Sequence, residues 1–194
     1  MSYEKVSFYD HGLRALFDAI LNELDTVKWL ESSKKTTSPQ PSPPTLRVET
    51  LLSRFHLVAH QIKRRHDSRD SFIVRDEYDV QDLLHSLLTI FFDDIRPEEY
   101  TPSYAGSSSR VDLLLKSEKI VIETKCASQK LTDKPIGEQL IIDIKRYQAH
   151  PDCRTLICFV YDPDAWLKNP RGLEKDLSGK NGDLDVKVHV CPKN

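Results

Sequence analysis

Residues 110–125, RVDLLLKSEKIVIETK, set two apolar runs on either side of a polar turn at Lys116, Ser117 and Glu118. A turn centred between Ser117 and Glu118 pairs Leu115 with Ile120 and places Asp112 opposite Glu123. Directly opposed side chains on an antiparallel pair have Cβ atoms roughly 4.5–5.5 Å apart, where like charges repel. Side chains alternate along a strand, so Lys125 shares the face of Glu123 about 7 Å further on. Two carboxylates that close either share a proton or hold a cation. Oxygen-only ligands favour Mg²⁺, Mn²⁺ or Ca²⁺ over zinc, and Mg²⁺ uses one or two carboxylates and completes its shell with water and substrate phosphate. A lysine beside such an ion can orient a water, so the chemistry on offer is metal-assisted hydrolysis. The same three residues on a solvated hairpin would be only a surface ion cluster. Apolar neighbours on both strands favour the first reading.

The segment after the hairpin adds to it. IGEQLIIDIKRYQAH reads as a helix with Ile136, Leu140, Ile141, Ile144 and Tyr147 inward, and Gln139, Asp143 and Arg146 form a polar stripe opposite them. Basic residues gather in the same region, among them Arg110, Lys130 and Arg146.

Around this centre the chain divides by composition. From about residue 8 to 30, Leu13, Leu16, Phe17, Ile20, Leu24 and Val27 recur at helical spacing. The stretch 31–45, rich in Ser, Thr and Pro, cannot bury apolar surface and reads as an exposed linker. The expected organisation is an N-terminal amphipathic helix (1–31), a linker (32–45) and a main domain (46–194). In that domain Thr45 can cap a helix carrying Val48, Leu52 and Phe55 and ending in the basic KRRH. A second helix follows DEYD, with Val80, Leu83, Leu84, Leu87 and Leu88. CRTLICFVYD is a continuous apolar run suited to the centre of a sheet, and LDVKVHV alternates like an edge strand. The order of elements predicts an α/β sheet sandwiched by helices.

Composition narrows the functional classes. With 194 residues and 39% hydrophobic content the chain can build a real core. No apolar run reaches the roughly 18–20 residues of a membrane span, and MSYEKVSFYDHG lacks the basic start and apolar stretch of a secretory signal. A cytoplasmic protein without a membrane partner is expected. The four cysteines form no C-x-x-C pair, and His150, Cys153 and Cys158 lack zinc-ligand spacing. Net charge is −2, so a nucleic-acid partner has to be argued from local arrangement rather than from global charge.

RVDLLL, IVIETK and GEQLIIDIKRY, with DEYDVQDLLH before them and CRTLICFVYDPD and NPRGLEKDL after, resemble the PD-(D/E)XK nuclease superfamily and, within it, the DpnII/MboI-type restriction endonucleases. The resemblance runs over roughly residues 46 to 194. It implies a restriction-endonuclease-like central mixed β-sheet flanked by α-helices, with the hairpin in its middle. It also implies roles. Asp112 and Glu123 take the metal-binding positions, with the Thr124 carbonyl as a further oxygen ligand, and Lys125 positions the attacking water. Gln139 matches an auxiliary glutamine, and Glu77 an additional acidic ligand for which Asp76, Asp79 and Asp82 compete. Ser109 and Arg110, ahead of the first strand, are candidates for gripping the nucleic-acid backbone, together with Lys130 and Arg146. Val111 stands where the family's eponymous proline would be, and Tyr147 follows Gln139 by eight residues rather than four, so Tyr147 receives no role.

The implied activity is Mg²⁺-dependent phosphodiester hydrolysis of DNA, with Mn²⁺ able to substitute, in a restriction or anti-phage role. No element stands out for direct base readout, so little intrinsic sequence specificity is expected. Cutting both strands with one site per chain calls for a homodimer or larger assembly, and the N-terminal helix could supply contacts to a partner. RNA cleavage and a catalytically silent nucleic-acid-binding or assembly module are the alternatives.

Overall fold

The computed structural model describes residues 42–99 and 110–193. The expected N-terminal helix and most of the expected linker lie outside the described residues, as does Ser109. Helix α1 (Pro44–Lys63) starts one residue before Thr45, with Pro44 in its first turn, where a missing N–H costs nothing. The last residues assigned to the linker therefore belong to the helix. Helix α2 (Glu77–Leu88) is capped by Asp76, whose carboxylate accepts from the Asp79 N–H.

The sheet is mixed. Strands β1 (Ile95–Pro97), β2 (Leu113–Leu115) and β3 (Ile120–Cys126) form an antiparallel meander. Helix α3 (Asp133–Tyr147) carries the chain to β4 (Thr155–Tyr161), parallel to β3. Helix α4 (Pro170–Leu177) and the short β5 (Gly179–Asn181) precede β6 (Leu184–Cys191), which is parallel to β4. Parallel neighbours need a crossover, and the two helices sit where crossovers are required. The strand order is β1-β2-β3-β4-β6-β5.

Three details differ from the sequence expectation. LDVKVHV is interior, because β5 pairs antiparallel with β6 through a turn in which Gly182 takes φ +64°. Its alternation instead reflects one fully covered face and one half-buried face, on which Lys187 reaches Glu49 of α1 at 2.6 Å. Helix α3 begins at Asp133, and Ile141 points outward, 51% exposed, since the inward stripe runs through Ile136, Leu140, Ile144 and Tyr147.

Two apolar layers clamp the sheet. On one face α1 and α2 bury Val48, Leu52, Phe55, Leu84 and Leu88 against Ile120, Ile122 and Phe159. On the other, α3 buries Ile136, Leu140 and Tyr147 against Val121, Cys158 and Val160. All four cysteines are free. Among the described residues no helix is long and apolar enough to cross a membrane.

Phe55 is fully buried, with its ring 5.0 Å from both Phe159 and Tyr161 in edge-on contact. Phe55→Ala removes these contacts and leaves a cavity, at a cost of about 3–5 kcal/mol. Urea unfolding should show the loss with an unchanged slope. A change under about 1 kcal/mol would mean that α1 does not hold the sheet in this way.

Candidate active site

The hairpin register is the one that the polar turn dictates. Leu115 faces Ile120, Leu114 faces Val121 and Leu113 faces Ile122; the pairing ends there, with Asp112 in a bend just before β2. Lys119 closes the turn with φ 55° and donates its N–H to the Lys116 carbonyl. The Asp112 carboxylate does not point straight across. Its Oδ2 accepts from the backbone N–H of Thr124 at 2.7 Å and from the Thr124 hydroxyl at 2.8 Å.

Glu123 and Lys125 sit on the α3 side of β3, both almost fully buried. The Lys125 ammonium donates to Glu123 Oε1 at 2.6 Å and to the Thr124 carbonyl at 3.0 Å. Two further carboxylates lie 3.6 Å from it, Glu77 at the first position of α2 and Asp143 of α3. Tyr147, one helical turn after Asp143, donates its hydroxyl to Glu123 Oε2 at 2.6 Å. Arg146 donates to Asp143 Oδ1 at 2.9 Å. Four segments, from α2, the bend just before β2, β3 and α3, thus meet at the carboxyl end of β3.

Burial sets the electrostatics. It pushes Asp112 up to about 6, with Glu123 adding to the shift and the two Thr124 bonds opposing it. Burial pushes Glu77 up to about 7 against the pull of Lys125. Glu123 and Asp143 are also raised, again chiefly by burial. Desolvation by itself would lower Lys125, but Glu123 and Glu77 outweigh it and hold the ammonium protonated. The Tyr147 phenol, buried beside Glu123, is held in its protonated form. Ionised together, the acids would put four negative charges against the two positive charges of Lys125 and Arg146.

Among the described residues no three His, Cys, Asp or Glu side chains are gathered around one ion position; the oxygens converge on Lys125 instead. The donor set is nevertheless oxygen-only and short of positive charge, which suits a hard divalent cation and not zinc. Asp112, Glu123 and Glu77, with the Thr124 carbonyl, are the groups able to hold one.

Of the residues singled out by sequence, Asp112, Glu123, Thr124, Lys125 and Glu77 come together. Asp76 is spent as a helix cap and Asp79 accepts from the Arg75 N–H, which leaves Glu77 to face the lysine. Gln139 is exposed one turn ahead of Asp143 and is not among the hydrogen-bond and ion-pair partners of Lys125. Asp143 and Tyr147 occupy the contacts at an i, i+4 spacing that the sequence does display. The stripe assigned as Gln139, Asp143 and Arg146 is rotated so that Asp143 is buried. Arg146 is tied to Asp143, Arg110 pairs with Glu98 at 2.7 Å on the surface, and Lys130 is exposed in the turn after β3.

A mixed sheet clamped by helices, with an acid-acid-lysine cluster at the open end of its central hairpin, defines a restriction-endonuclease-like domain. A family model described as REase_DpnII-MboI matches residues 46–193, and the chain belongs to this DpnII-MboI restriction endonuclease family. No curated protein matches the chain.

The raised acids make a testable link to stability. Without divalent ions the folded chain keeps a proton on Asp112 up to about pH 6, whereas an unfolded aspartate has lost it near pH 3.9. This contribution favours the fold at low pH and is lost as pH rises through that window. His150 and His189, lowered by burial, act in the opposite direction, so the informative quantity is the difference between two proteins. Asp112→Asn keeps an acceptor for Thr124 and removes the titration. In chelator, its stability relative to wild type should improve between pH 4 and pH 7, as followed by urea midpoints. A relative loss over that range would contradict the burial of an uncompensated carboxylate.

Proposed function

We propose that the protein is a Mg²⁺-dependent endonuclease of the PD-(D/E)XK type that hydrolyses phosphodiester bonds of DNA, with Mn²⁺ able to replace Mg²⁺. The observation that carries this reading is the excess of partly buried carboxylates around Lys125, in a chain of a restriction endonuclease family. Asp112 and Glu123 are assigned as the cation ligands, with Glu77 and the Thr124 carbonyl beside them. A divalent ion held there supplies positive charge to the phosphoryl oxygens and makes water more acidic.

The protein's own groups divide the remaining work. Lys125 is held protonated, so its part is to donate a hydrogen bond and orient the attacking water, not to remove a proton. Tyr147 fixes one oxygen of Glu123 and turns the other towards Lys125. Arg146 steadies Asp143. Gln139, exposed on the same side of α3, is free to reach a neighbouring phosphate or water of the substrate. Ser109, Arg110 and Lys130 are assigned to the nucleic-acid backbone.

A cytoplasmic restriction or anti-phage role fits such an activity, with a homodimer to cut both strands and the N-terminal amphipathic segment as a contact to a second copy or a partner.

Supercoiled and linear duplex DNA, incubated with the protein in Mg²⁺ or Mn²⁺ and in chelator, tests this directly. Cutting should need the metal and fall on the order of 10²–10⁴-fold in Lys125→Ala. Metal-dependent cutting that survives Lys125→Ala would overturn the site. An RNA-only activity would overturn the substrate.

A further inference from the structure

Beyond α1 the chain carries KRRHDSRDSFIVRD, residues 63–76, before it reaches Glu77. Lys63, Arg64, Arg65, Arg69 and Arg75 face only Asp67, Asp70 and Asp76 within this stretch, although the whole protein carries a net charge of −2. Arg64, Arg65, His66 and Arg69 are all exposed, and among the described residues no carboxylate pairs with the three arginines. Asp67 takes φ 58°, and the Arg65 guanidinium donates to the Asp70 carbonyl at 3.2 Å, so the segment folds back on itself. The result is a groove of about 570 Å³ lined by Gln61, Arg64, Arg65, His66, Arg69 and Phe72.

The position of the groove follows from the packing of α1. His56 Nδ1 lies 3.1 Å from the hydroxyl of Tyr161, the last residue of β4. Tyr161 pairs with Cys126, next to Lys125 on β3. Seven further residues of helix, about 10 Å at 1.5 Å per residue, carry α1 from His56 to Lys63, past the ends of these strands. The same segment then returns to put Glu77 3.6 Å from Lys125. The basic groove therefore stands on the rim of the catalytic end of the sheet.

We infer that this groove grips the phosphate backbone of duplex DNA next to the bond being cut, with Arg64, Arg65 and Arg69 as the phosphate contacts. The inference rests on the nuclease reading above and extends its binding surface to an element with no catalytic part. The chemistry matches. The carboxylate cluster repels a polyanion, so substrate must be held by cations at its edge, and exposed unpaired arginines release condensed counterions when they meet phosphates. Phe72, partly exposed beside them, offers an apolar wall to the sugar edge.

The test uses the full chain and a fluorescein-labelled duplex of about 20 base pairs in chelator, with anisotropy read across a salt series. Arg64→Ala/Arg65→Ala/Arg69→Ala should bind on the order of ten- to a hundred-fold more weakly, with the slope of log affinity against log salt reduced by about 2–3. The corresponding triple lysine variant should keep most of that slope. Arg154→Ala, an exposed arginine at the opposite end of β4, should bind like wild type. Thermal melting of each variant confirms that it folds. Wild-type affinity and slope in the triple alanine variant would overturn the inference and leave the nuclease reading standing if the wild type cuts DNA. Wild-type protein that neither binds nor cuts DNA would overturn both. Binding confined to an RNA duplex would overturn the assignment of the groove to DNA.

Discussion

One ammonium holds the site together. Lys125 is surrounded by Glu123, Glu77, Asp143 and the Thr124 carbonyl, all within 3.6 Å. A buried lysine would ordinarily shed its proton to escape desolvation; here the carboxylates prevent it. The converse also holds, since the acids tolerate burial only because the ammonium is among them. The balance is incomplete. Burial pushes Asp112 and Glu77 up to about 6 and about 7, with the neighbouring carboxylates adding to the shift and Lys125 only partly offsetting it. The metal-free fold thus stores an electrostatic cost at the place where a divalent cation would relieve it.

The rest of the molecule exists to bring these groups to one point and keep them there. Register does the first part, because the tight turn at Lys119 commits Asp112 to a place beside Thr124. Packing does the second. Ile120 and Ile122 lock one face of β3 against α1 and α2, and alternation then presents Glu123 and Lys125 to α3. Helix α3 is fixed by Ile136, Leu140 and Tyr147, so its phase turns Asp143 inward, while Gln139, one turn earlier on the same face, stays exposed. The N-cap at Asp76 fixes where α2 starts, and that places Glu77.

Much of this was legible from the residues. The polar turn, the flanking apolar runs and the period-two alternation determine the hairpin, and hence Asp112, Glu123 and Lys125 as neighbours. The buried strand at 155–161 announced itself by a continuous run rich in β-branched and aromatic residues. What remained illegible depended on tertiary context. Four acids near the start of α2 were equivalent as sequence, and the Asp76 cap and the bond from the Arg75 N–H to Asp79 set two of them apart from Glu77. The rotation of α3 turned on whether Ile141 or Asp143 would be buried, and propensity favours the isoleucine. The ion pair between Asp143 and Lys125 reversed that. Strand β5 is three residues long and contains Gly and Lys, with no pattern to mark it, so β6 read as an edge.

The carboxylates around Lys125 are proposed as a cation site. Mn²⁺ titration of the metal-free protein, followed by electron paramagnetic resonance at pH 6 and again at pH 8, addresses that claim without any nucleic acid. Saturable binding is expected, tighter at pH 8 because protons leave Asp112 and Glu77 as the ion enters, and at least about tenfold weaker in Asp112→Asn. No binding, or binding equal in wild type and Asp112→Asn, would contradict it.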